Sequence, residues 1–111
     1  MERRHEPRRE IDLALQVWGI ETKGDTFLQQ ARTCDISLSG ALLSELEVKV
    51  HSGDVIGVLY AGRKARFHVA WVRYSQTEPQ VMAAIHRVEG DECPWGHLIP
   101  KQARGRAAGA N

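Results

Sequence analysis

Cysteine is nearly absent: Cys34 and Cys93 are the only two in 111 residues. Two thiols so far apart make no disulfide framework of the kind that staples small secreted scaffolds, and they lack the paired spacing of a structural zinc site. Both are expected as free thiols in a reducing compartment. Long apolar runs are missing as well. The longest, Val55 to Ala61 and Val81 to Ile85, fall far short of the roughly 20 residues that cross a bilayer. The opening Met1-Glu2-Arg3-Arg4-His5-Glu6 has no apolar segment behind it resembling a signal peptide. A cytoplasmic protein without membrane insertion is the expectation.

Net charge is scarce too. Fifteen Lys and Arg against fourteen Asp and Glu leave +1, which disfavours a chain that holds nucleic acid through a general basic face. Signatures of catalysis are also missing: there is no Gly-x-Ser-x-Gly elbow, no Walker-type loop and no recognisable carboxylate pair. No enzyme, no catalytic residue and no cofactor are expected. The five histidines, His5, His51, His68, His86 and His97, follow no metal-ligand spacing. Cys93 and His97 could share a helical face, but a third ligand would have to come from elsewhere, so no metal is expected.

What the chain does have is the length and balance of one folded domain, with 42% hydrophobic and 26% charged residues. Leu13, Leu15 and Val17 alternate with Ala14, Gln16 and Trp18, the period-two pattern of a half-buried strand. Lys23-Gly24-Asp25 supplies a turn, and Phe27 to Ile36 reads as a second strand feeding a bend at Ser37-Leu38-Ser39-Gly40. Gly40 restarts an apolar run, Val55 to Tyr60 follows a turn at Ser52-Gly53-Asp54, and Ala61 to Lys64 turns again. Phe67, Val69 and Trp71 then alternate with His68, Ala70 and Val72, and Val81 to Val88 closes the series. Six short strands without an intervening helical period predict an all-β antiparallel barrel or sandwich, and barrel closure removes exposed edges. After them, Asp91 to Ile99 reads as a short helical segment with Asp91 as its N-cap and Trp95 and Leu98 over one barrel mouth. Trp18, Phe27, Tyr60, Phe67, Trp71 and Tyr74 are read as core rather than as a platform for single-stranded nucleic acid. Arg66 and Arg73 are read as ordinary exposed strand residues.

Two short stretches carry chemistry. Arg4 and Arg8 are separated by His5-Glu6-Pro7, and Pro7 argues for an extended, mobile clamp rather than a helix. A guanidinium presents a planar fork that matches the O6 and N7 acceptors of guanine or two phosphate oxygens, and it stacks on purines. The second stretch is Asp35-Ile36-Ser37-Leu38-Ser39-Gly40. Asp35 and Ser37 share a strand face. An acceptor-only carboxylate suits the N1 and N2 donors of guanine or an arm guanidinium, the Ser37 hydroxyl can donate to phosphate, and Gly40 is expected in a conformation closed to residues with a Cβ. Each stretch alone has a plain reading, a solvated arm or a polar turn ending a strand.

Together, in this order and around this strand pattern, they resemble the PilZ family over about Arg3 to Trp95. Arg4 and Arg8 match its Arg-x-x-x-Arg pair, Arg3 the common preceding arginine, and Asp35, Ser37 and Gly40 its Asp/Asn-x-Ser-x-x-Gly turn. Gly40-Ala41-Leu42-Leu43 and Ala70-Trp71-Val72-Arg73 are similar to the family's phrasing, while Met82-Ala83-Ala84-Ile85 stands where many members carry a glycine. The resemblance implies a six-stranded antiparallel barrel that binds the bacterial second messenger cyclic di-GMP through Arg3, Arg4, Arg8, Asp35, Ser37 and Gly40. It implies a single-domain signalling receptor or adaptor that passes the signal to a downstream protein partner. The organisation expected is an arginine arm over residues 1–10, the barrel over 11–100 and a disordered tail over 101–111. A barrel of the same family that serves as a non-binding protein adaptor, and a small nucleic-acid-binding barrel, are the rival readings.

Overall fold

The computed structural model describes residues 6–23, 26–47, 50–77 and 79–100. Arg3, Arg4, most of the Lys23-Gly24-Asp25 turn and the tail 101–111 lie outside the described residues. Among those described, the strands are β1 (Arg8–Arg9), β2 (Ala14–Glu21), β3 (Leu28–Ser37), β4 (Gly40–Leu46), β5 (Val55–Tyr60), β6 (Arg63–Tyr74) and β7 (Val81–Arg87). Six of them match the strands expected from alternation. The order β1-β3-β2-β5-β6-β7-β4, with β3 also paired to β4, closes β2 to β7 into an antiparallel barrel. The seventh strand was not foreseen: Arg8 pairs with Ser37 and Arg9 with Ile36, so the end of the arm is stitched to β3.

Alternation explains the core. Leu15, Val17, Ala31, Ile56, Val58, Phe67, Val69, Ala83 and Ile85 point inward and are buried. Trp95 is fully buried and stacks on Phe67 with ring centroids 5.4 Å apart, closing one end of the barrel as expected. Buried Thr33 is satisfied twice, since its hydroxyl donates to the Ile11 carbonyl and accepts from the Leu13 amide. The β5–β6 hairpin turns through Ala61 (φ 53°) and Gly62 (φ 80°), the left-handed pair that a two-residue hairpin needs.

Alternation fails at bulges. The β6–β7 register shifts between Val69 and Trp71, so Val72 rather than Trp71 packs on the core and Trp71 is 41% exposed. The assignment of Trp71 to the core is therefore corrected. Tyr74, beyond the bulge, is also exposed, while Trp18 lies half-buried on the outer face over Gly57. A second bulge, between Thr33 and Asp35, leaves Ile36 inward and Asp35 on the outside.

Two further expectations change. Asp91 caps no helix: the segment holds only a 3-10 turn at Gly96–Leu98 with Trp95 before it, too far along the chain for the Asp91 side chain to cap. Its carboxylate instead accepts from the Arg66 amide, Nε and Nη2 at 2.8, 3.0 and 2.9 Å. Gly40 is not among the glycines with positive φ. What requires glycine there is the close approach of β4 to β7, because a Cβ would overlap the Ile85 carbonyl oxygen. No helix among the described residues is long and apolar enough to cross a membrane.

Backbone cannot yield as a flexible side chain would, so Gly40→Ala must push β4 away from β7. It is expected to lower unfolding stability by about 2–3 kcal/mol, read as a reduced urea midpoint with an unchanged m-value.

Candidate functional site

The bend from β3 to β4 is where the sequence motif sits, and its backbone is held from one side. The Ser37 carbonyl accepts from Trp95 Nε1 at 2.9 Å and from Cys93 Sγ at 3.8 Å. The Leu38 carbonyl accepts from Arg87 Nε at 2.9 Å, and the Ser39 carbonyl from the Arg87 amide at 2.7 Å. Three successive carbonyls thus have their negative ends engaged by donors. Arg87 also donates through Nη1 to the Asp91 carbonyl, tying the bend to the segment that carries Trp95. Burial pushes the Cys93 thiol above its ordinary value, so this sulfur acts as a neutral packing and donor group.

Ser37 is buried, and its hydroxyl accepts from the Gly40 amide at 3.2 Å and lies 3.4 Å from Ser39 Oγ. It therefore shapes the bend from within. Asp35 stands on the outer face, where its Oδ1 accepts from Arg8 Nη2 at 2.5 Å. The Arg8 side chain is 59% exposed and that of Asp35 21%, so the pair is partly solvated and the guanidinium keeps open donors. Strand pairing explains the meeting: Arg8 opposite Ser37 sets its side chain within reach of a carboxylate two residues earlier on β3. Arg9, the next residue, donates through Nη1 to the Leu98 carbonyl at 3.0 Å. One two-residue strand thus grips both the bend and the C-terminal turn.

A pocket of about 220 Å³ opens beside this bend, lined by Arg8, Ser37, Ser39 and Gly40 on one side and by Trp71 and His86 on the other. Its lining also includes the small Gly40 and Ala84 and the apolar Ala41, Leu42 and Ile85. The structure therefore brings Arg8, Ser37 and Gly40 to one cavity, while Asp35 does not line it and meets it only through its bond to Arg8. Three residues that line the pocket were not among the site residues expected from the sequence. Trp71 reaches it only through the β6 bulge, and its ring carries the Arg73 guanidinium 5.3 Å above the centroid. His86 reaches it because β7 pairs with β4, Gly40 opposite His86. Ser39 donates its hydroxyl to Glu6 Oε1 at 2.6 Å, so a carboxylate of the arm already rests at the pocket edge. The outward position of His86 was readable from alternation with Ala83 and Ile85, but its neighbour across the sheet was not.

The lining can hold an anion between a guanidinium, a hydroxyl and an imidazole, and a flat ring against Trp71. No group of three or more His, Cys, Asp or Glu able to hold a metal occurs among the described residues. A scan against protein-family models finds no match to the chain, and no curated protein matches it.

The Arg66 guanidinium holds the Asp91 carboxyl well below its ordinary value, at about 2. A carboxylate lowered on folding stabilises the fold above the unfolded value of 3.8 and loses that contribution as pH falls towards 2. Wild type should therefore exceed Asp91→Asn in thermal midpoint at pH 6, with the gap closing between pH 4 and 2. A gap that persists at pH 2 would show that the carboxylate's charge is not its source.

Proposed function

We propose that this chain binds cyclic di-GMP at the pocket beside the Ser37 to Gly40 bend and acts as a receptor whose output is conformational. The observation that carries the reading is the placement of Arg8, which a two-residue strand pairs with Asp35 and which itself lines a cavity together with Ser37, Ser39 and Gly40. That convergence of the two sequence stretches is what the resemblance to PilZ domains calls for. A partly exposed guanidinium can turn from Asp35 to the O6 and N7 edge of guanine or to a phosphate. The freed carboxylate then suits the N1 and N2 donors of guanine and offers adenine nothing comparable. The pocket, about 220 Å³, is lined in part by the partly exposed Trp71, an aromatic surface against which a base can lie. Arg4, carried by the same arm, supplies a second fork, and Pro7 limits the entropy lost when the arm closes.

Signalling follows from the neighbour of Arg8. Because Arg9 holds the Leu98 carbonyl, movement of β1 towards a ligand changes how the C-terminal turn is held, and with it the surface shown to a protein partner. The second reading is an adaptor that binds no nucleotide. It is favoured by the work these residues already do without ligand, Arg8 in an ion pair and Ser37 inside the bend.

Calorimetric titration with cyclic di-GMP separates the two. Binding by the intact chain is expected, with Arg4→Ala, Arg8→Ala and Asp35→Ala each costing about 1–3 kcal/mol; no heat at high micromolar ligand would leave the adaptor reading standing. Glu6 gives a prediction of opposite sign. Its carboxylate occupies the Ser39 hydroxyl and repels an incoming phosphate, so Glu6→Gln should tighten binding by about 1 kcal/mol, the scale of one like charge near a solvated surface.

A further inference from the structure

Beyond the motif residues, the wall of the pocket opposite Arg8 carries an imidazole. Ala83 and Ile85 face the core, which turns His86 outward on β7. Across the sheet, His86 stands between Gly40 on β4 and His68 on β6. His86 is exposed and lines the cavity, and Gly40, its partner across the β4–β7 ladder, contributes no side chain. The neighbouring Arg87 binds the bend through the Ser39 and Leu38 carbonyls, so residue 86 is held at a set height beside Ser39. Ser39 is where the Glu6 carboxylate rests, which marks this corner as one that accepts an anionic oxygen. No carboxylate is among the residues that line the cavity, and the one at its edge, Glu6, is bonded to Ser39.

We propose that His86 is a further ligand-recognition residue, donating a ring N–H to a phosphate oxygen of the bound cyclic dinucleotide from the side opposite Arg8. This rests on the cyclic di-GMP reading and extends it to a position outside both sequence motifs. An imidazole N–H to a charged oxygen is a charge-assisted bond, stronger than one between neutral groups, and it fixes the phosphate from a second direction that the arm cannot supply.

The test is a calorimetric titration of the full chain with cyclic di-GMP in the presence of EDTA, comparing wild type with His86→Gln, His86→Phe and His68→Ala. Because the side chain is exposed, the variants should keep the wild-type thermal midpoint. The expected result is a loss of about tenfold or more in affinity for His86→Phe, which keeps a flat ring but no donor. His86→Gln, which keeps a donor, should lose less, and His68→Ala should stay within about twofold. Wild-type affinity in His86→Phe overturns the proposal while leaving the ligand reading intact. So does the reverse order, with Phe retained and Gln lost, which would mean stacking. Equal losses in His68→Ala and His86→Phe, measured without EDTA and matched by EDTA on wild type, would mean a metal held between the paired imidazoles and would overturn it as well. A wild type that fails to bind removes the ligand reading itself.

Discussion

The bend between β3 and β4 is held through its carbonyls, and most of what surrounds the pocket depends on that. Barrel closure requires β3 and β4 to pair as neighbours, so the chain must reverse within Leu38 and Ser39. A reversal so tight leaves polar backbone groups that neither strand can satisfy, and leaving them unpaired in a buried setting would cost on the order of 1–3 kcal/mol each. Trp95 and Arg87 supply the donors from the far side. The Trp95 ring can reach only because it also fills the barrel end against Phe67. Core packing and bend geometry are therefore one structure, and the segment after β7 supports the pocket although it contributes no lining residue to it.

The same constraint settles which way the bend can interact. Carbonyls engaged by an indole, a thiol and an arginine oppose a nearby anion less, and the bend's other contacts include Arg8 on Asp35 and the Glu6 carboxylate on the Ser39 hydroxyl. Ser37 works from inside the bend, on the Gly40 amide. Gly40 works through its missing Cβ, by letting β4 and β7 approach until His86 sits across from it. Residues that a motif would group as ligand contacts thus divide into builders of the cavity and groups that face it.

The barrel was legible because its strands obey a strict alternation and its turns carry glycine or polar pairs. Leu15, Val17, Phe67, Val69, Ala83 and Ile85 all lie where that rule put them. The meeting of Arg8 with Asp35 was half legible: chemistry suggested the pairing, but the two-residue strand that enforces it leaves no period to detect. Trp71 was misplaced for a definite reason. A bulge inserts one residue and reverses the facing of all that follow, and Val69-Ala70-Trp71 contains no glycine or proline to announce it. Gly40 was flagged for the wrong cause, since close strand approach and left-handed backbone demand the same residue and only coordinates separate them. His86 and Arg87 depended on knowing that the last strand lies beside β4, a long-range pairing that local sequence does not encode.

On the proposed reading, Arg8 and Glu6, two residues apart on one arm, would let a chain of nearly neutral net charge select its ligand. The guanidinium bonds Asp35 and the Glu6 carboxylate bonds Ser39, so the arm rests on the bend through its own polar contacts. A ligand replaces both contacts only if it offers an anionic group for Arg8 and Ser39 and hydrogen-bond donors for the freed Asp35. A simple phosphate meets the first demand and not the second, and a neutral base meets the second and not the first. A guanine nucleotide carries both on one rigid frame. On the proposed reading, discrimination would arise less from the strength of any one contact than from the requirement that the arm's internal bonds be exchanged together.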